Sequence, residues 1–147
     1  VIQLRVYCAS KSKFWPWWAA LRAGGLPISA SWVDWPHNID DSEPTDDEWR
    51  AHAELCIEQA ASCDILLLYI DRDDARHFGA LLEAGAALGA GKSVYLVSRH
   101  PWPFLRNHPN VRSFDSLSAA ITAIMARLAG EQARVVAMLA GEHGKAA

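Results

Sequence analysis

Cysteine is sparse and none of it is spaced for pairing or for metal. Cys8, Cys56 and Cys63 are an odd number with no CxxC pair, which argues against a disulfide framework and against a thiolate zinc site. A reducing, cytoplasmic setting is the expectation. Long apolar runs are also missing: none approaches the roughly 20 residues that a membrane span needs. The first residues read as a strand, not as a charged segment leading into a signal-like core. An excess of positive charge is absent too. With 14 basic and 17 acidic residues the net charge is −3, so no field favours a long nucleic-acid backbone. A small ligand is expected instead, with Lys11 and Lys13 as the local cluster able to hold one phosphate. Low complexity and tandem repeats are absent as well.

What is present is a globular composition, 51% hydrophobic and 21% charged over 147 residues, enough for one core without staples. A single domain over 1–147 is expected. Ile2 to Ala9 reads as a strand, followed by the polar turn Ser10 to Lys13 and a helix opened by Pro16 and ended at Gly24 and Gly25. After Pro27, Ile28 to Val33 reads as a second strand. Thr45 and Glu48 form a capping-box pattern that predicts a helix over 46–62, with Ala53, Ile57, Ala60 and Ala61 on one face. Ile65 to Ile70 is a continuous apolar run, the mark of a central parallel strand. A Gly- and Ala-rich helix over about 80–90 follows, then strands at 93–97 and 111–114. A helix to about Leu128 comes next, and beyond Gly130 a last helix over about 131–140.

Strands alternating with helices predict an α/β fold: a doubly wound, flavodoxin- or Rossmann-like sheet of five mostly parallel strands, with helices on both faces. Ligands in such sheets bind beyond the carboxyl ends of the strands. The loops 10–13, 34–44 and 71–79 are therefore expected to surround the site.

Glu83 is the first candidate there. Its helix neighbours three and four positions away are Gly79, Ala80, Ala86 and Ala87, which leaves room for close approach, and the helix dipole favours its ionised form. A carboxylate so placed can attack an anomeric carbon; the plainer reading is a solvent-facing acid on a helix whose alanines pack on the sheet. Asp71 and Asp73 are candidate general acids for a departing base, and His77 has a side chain suited to proton transfer. Ala9, Ser10, Lys11, Ser12 and Lys13 follow the first strand, where backbone donors, hydroxyls and amines can hold a phosphate or a sugar hydroxyl. Trp15, Trp32 and Trp35 can stack on a base or serve as core or subunit contacts. Asp34 stands at a strand end where it can bond a base edge. Cys56 and Cys63 read as buried apolar residues.

The stretch from Ala61 to Val97, ASCDILLLYIDRDDARHFGALLEAGAALGAGKSVYLV, resembles the nucleoside 2-deoxyribosyltransferase family and its relatives that hydrolyse deoxynucleoside monophosphates. Asp64, Gly79, Glu83, Gly85, Ala87, Gly91 and Lys92 match that family's order of an aspartate, an apolar strand, a polar loop and a Gly-x-x-x-Glu-x-Gly-x-Ala core ending in Gly-Lys. VYCASKSKF is similar to the family's first strand and substrate loop, with Gly79 also at the substrate. The resemblance implies that Glu83 is the nucleophile on C1′ of the sugar and that no metal or organic cofactor is needed. It also implies a nucleoside or nucleotide ligand, and a homodimer or higher homo-oligomer whose contacts include the C-terminal helix and the tryptophans. Transferases of the family carry an aspartate six residues before the nucleophile, and His77 stands there instead. Two other readings compete: an NAD-cleaving domain of the TIR type, and a non-catalytic nucleotide sensor in which Glu83 only bonds a ribose.

Overall fold

The computed structural model describes residues 3–35, 43–71 and 77–145. Four parallel strands, β1 (Val6–Ala9), β2 (Ile65–Ile70), β3 (Ser93–Ser98) and β4 (Val111–Phe114), lie in that order across one sheet. The helices are α1 (Trp15–Ala23), α2 (Asp46–Ser62), α3 (Phe78–Gly89), the short α4 (Pro103–Arg106) and α5 (Leu117–Lys145). Strand β2 runs between β1 and β3 in continuous register, from Val6↔Ile65 and Ile65↔Ser93 onward. Its apolar sequence is explained by that position: Ile65 to Leu68 are fully buried, as expected for a strand covered on both faces.

The sheet has four strands where five are expected. The stretch Ile28 to Val33 makes a single parallel bridge, Val6↔Ile28, with Val6 N–H donating to the Pro27 carbonyl and Ser29 N–H to the Val6 carbonyl. Pro27 has no N–H to extend the ladder on its own side. Beyond the bridge, the backbone and hydroxyl of Ser31 both donate to Gln59 Oε1 of α2, and the chain turns into a 3₁₀ segment, Ser31–Asp34. The vestige still matters for topology. Counting the bridge, the path runs outward from β1 and then reverses to β2, β3 and β4, which is the doubly wound pattern. Right-handed crossovers then put α1 on one face and α2 with α3 on the other. The reversal at β1 creates a switch point between the ends of β1 and β2, the place where such sheets take ligands.

Helix α2 begins at the predicted box: Thr45 Oγ1 accepts from Glu48 N–H at 3.2 Å and Glu48 Oε2 accepts from Thr45 N–H at 2.7 Å. Its buried face is rotated from the expected one. Cys56 and Ala60 are buried, whereas Ile57 is 40% exposed. Helix α3 is followed by Gly91, whose φ of +73° suits glycine and turns the chain into β3. The expected break at Gly130 does not occur, and α5 runs through it for 29 residues. One glycine costs a helix only about 1 kcal/mol, and the Arg127 to Glu131 pair, 3.2 Å apart, spans the position. A methyl group on Gly130 would meet nothing within 4 Å. Gly130→Ala is therefore expected to stabilise the protein by about 0.5–1 kcal/mol, read from urea denaturation; a loss of stability would show that the helix is not continuous there.

Candidate active site

Glu83 lies on α3 beside the residues that pack the helix onto the sheet, Ala80, Ala84 and Ala87, all buried. The alanines thus serve the core, and Glu83 stands half-buried at the edge of their stripe. Tyr7 of β1, wholly buried, donates its hydroxyl to Glu83 Oε1 at 2.9 Å. Burial pushes the Glu83 carboxyl up to about 7, with the Tyr7 hydrogen bond pulling it back. Burial first, and then the charge of Glu83, push the Tyr7 phenol far above its ordinary range, so Tyr7 acts as a donor only. Cys56 of α2 contacts the Tyr7 side chain, and its sulfur lies 3.7 Å from a His52 ring nitrogen. Neither Tyr7 nor Cys56 stands out in the sequence as a site residue; each looks like core.

A second feature sits at the ends of the strands. A cleft of about 580 Å³ is lined by Lys11 and Lys13 after β1, Phe14 and Trp17, Tyr69 and Asp71 at the end of β2, and Arg99 after β3. Asp71 is its hub. Lys11 Nζ lies 3.3 Å from Asp71 Oδ1, Lys13 Nζ 3.6 Å from Oδ2 and His77 Nε2 3.3 Å from Oδ1. Burial works to raise the Asp71 carboxyl, but the Lys11 hydrogen bond and the charges of Lys11 and Lys13 hold it below the ordinary range. An acid held ionised in this way is a poor proton donor at neutral pH. Asp71 instead organises the cations, and His77, buried at the start of α3, lies against it. Asp73 lies outside the described residues.

Strand β1 links the two features. Tyr7 meets Glu83, and four and six residues later Lys11 and Lys13 line the cleft. They open on opposite faces, however. Tyr7 pairs with Leu66 across the sheet, and alternation sends Tyr69, three residues on, to the other side. There it meets Phe14 at 5.4 Å and Trp17 at 6.2 Å between ring centroids. Glu83 is accordingly not among the lining residues of the cleft, and a ligand touching both must cross the strand ends at the switch point.

The other sequence candidates divide between structure and site. Ala9 is buried at the end of β1. The Ser10 hydroxyl accepts from Trp18 Nε1 at 2.8 Å, which fixes the turn, and Ser12 opens the short 3₁₀ turn before α1. Gly79 is exposed in the first turn of α3 with open space around it. Trp32 is buried, its indole N–H donating to the Cys8 carbonyl at 2.7 Å, so its role is in the core. Trp35 lies 6.2 Å from Trp49 and 3.9 Å from His52 between ring centroids, a cluster against α2. Trp15 packs on the core from α1. Asp34 is not at a strand end but in the 3₁₀ segment, where Arg22 donates to both carboxylate oxygens. That bond and the Arg22 charge hold its carboxyl down, and its side chain is tied to α1. Asp64, the first residue of the motif, sits at the amino end of β2 and accepts from Arg5 N–H at 2.7 Å, which is a structural duty. Arg99 was missed, although the rule that ligands sit past the strand ends points to it.

Among the described residues no group of His, Cys, Asp and Glu is arranged to hold a metal, and no helix is long and apolar enough to cross a membrane. No family model matches the chain, and no curated protein is similar to it in sequence. Among solved structures it is similar to the Clostridium botulinum CMP N-glycosidase BcmB, with a TM-score of 0.51 over 83% of this chain and 98% of that one. At 16% identity this likeness is one of fold: the chain shares the α/β architecture of that N-glycosidase.

Proposed function

We propose that the protein cleaves the N-glycosidic bond of a nucleotide, with the Glu83 carboxylate as the nucleophile at C1′. The observation that carries this reading is the half-buried Glu83 held by the Tyr7 hydroxyl at 2.9 Å, on a fold shared with a nucleotide N-glycosidase. A Glu83 oxygen forms a bond to C1′ as the C1′–N bond breaks and its electron pair leaves with the base, which takes up a proton. Water then attacks C1′ and frees the carboxylate, giving hydrolysis; a second base in place of water gives transfer. His77, against Asp71, is the proposed source of the proton for the leaving base, the part taken by an aspartate in the transferases this sequence resembles. The cations Lys11, Lys13 and Arg99 favour a phosphorylated substrate over a free nucleoside.

The test is a chromatographic assay of base release from nucleosides, 5′-monophosphates and NAD, with and without a second base. Release from a 5′-monophosphate at a rate above that of its nucleoside is expected, and no release from any of them would overturn the reading. The pH profile adds a sign. A nucleophile must be ionised, so with Glu83 raised to about 7 kcat/KM is expected to climb as pH rises through about 7. A profile with no rising limb in that range would argue against an ionised Glu83 as the nucleophile.

A further inference from the structure

The cleft beside Lys11 has more aromatic surface than a phosphate needs. Phe14, Trp17 and Tyr69 form one wall, with Phe14 and Trp17 centroids 4.6 Å apart and tilted by 32°, and Tyr69 edge-on to Phe14 at 74°. Trp17 is 50% exposed, an unusual state for a large ring in contact with two others. Lys13 Nζ lies 5.1 Å from the centre of the Phe14 ring, and Arg99 lines the same cleft. The wall therefore presents an open ring face rimmed by cations. It stands on the α1 face, opposite the face on which Tyr7 holds Glu83. Between the two, at the crest of the sheet, are Lys11 and Asp71.

We infer that this cleft is a subsite for a second planar aromatic group, so that the ligand carries two ring systems joined through phosphate, as a dinucleotide does. The inference builds on the reading of Glu83 as the reacting carboxylate and adds the rest of the substrate. One nucleoside presents its C1′ to Glu83, the anionic linker crosses the switch point at Lys11, and the second ring stacks on Trp17. The charges fit such a linker. Lys11, Lys13 and Arg99 set three positive charges against the one negative charge of Asp71, a net positive lining for an anionic linker. A monophosphate also satisfies those cations, but it leaves the aromatic wall uncovered.

Binding, not turnover, tests this, so the outcome does not depend on whether bases are released. Calorimetric titration of the Glu83→Gln protein would compare NAD, AMP, nicotinamide mononucleotide, and the two mononucleotides together. Joining two halves that each hold a subsite makes the second contact intramolecular, and NAD is expected to bind at least about tenfold tighter than either half. Stacking of one base on an aromatic side chain is worth a factor of about ten or more. In a Trp17→Ala derivative the affinity for NAD is therefore expected to fall about tenfold; as a surface residue, Trp17 can be lost without unfolding the chain. NAD binding no tighter than the tighter half, an NAD affinity that Trp17→Ala leaves unchanged, or no binding of any of these probes would each overturn the subsite.

Discussion

Glu83→Gln is expected to lower base release by about 10³-fold or more and, at pH 8, to leave a protein more stable than its parent. The first effect follows because an amide cannot form the bond to C1′ while Tyr7 can still donate to the amide oxygen, so the architecture persists without the nucleophile. The second follows from burial. The folded Glu83 holds its proton more tightly than the unfolded chain does, having moved from 4.5 to about 7. Its favourable contribution is complete below the unfolded value and is lost as pH rises through about 7. Above that, the ionised group costs the fold about 3 kcal/mol. Glutamine carries no such cost. Thermal melts at pH 4.5 and pH 8 should show the variant gaining on its parent between the two. A variant less stable than its parent at pH 8 would mean that Glu83 is better solvated than its position indicates. Loss of activity with gain of stability is the pattern of a group kept for chemistry at the expense of the fold.

Lys11→Ala is expected to reduce kcat/KM for a 5′-monophosphate by about 10- to 100-fold, the worth of one charge-assisted hydrogen bond, with the free nucleoside changed by much less. Lys11 has a side chain only 15% exposed and lies 3.3 Å from Asp71, whereas Lys13 is 63% exposed and loses more of its attraction to solvent. The substitution also removes the bond that does most to hold the Asp71 carboxyl down, so that group is expected to titrate higher in the variant, by carboxyl-detected NMR. Equal losses for nucleotide and nucleoside would place Lys11 in the scaffold, not at a phosphate.

Much of this was legible in local pattern. The unbroken apolar run at Ile65 to Ile70 could only be a covered central strand, and Thr45 with Glu48 announced the start of α2 because a capping box is a contact between near neighbours. The small residues around Glu83 marked its helix, though most of them serve packing. What was not legible depended on distance in the chain. Tyr7 looks like any strand aromatic, and nothing local ties it to a carboxylate 76 residues away. Ser31 breaks the expected second strand through Gln59, 28 residues on. Asp34 is taken by Arg22 only because the chain folds back over α1. Gly130 misled in the other direction, since a glycine signal weighs little against a helix already long and well supplied with helix formers.

The shortened second strand has a last consequence, at Trp32. A parallel sheet whose outer member is one residue long leaves the flank of β1 open, and an open flank is a template on which another chain can add itself. Here the outward carbonyl of Val6 is taken by Ser29 and that of Cys8 by the indole of Trp32. A ring does the work of a neighbouring strand, occupying the Cys8 carbonyl that the shortened strand no longer reaches.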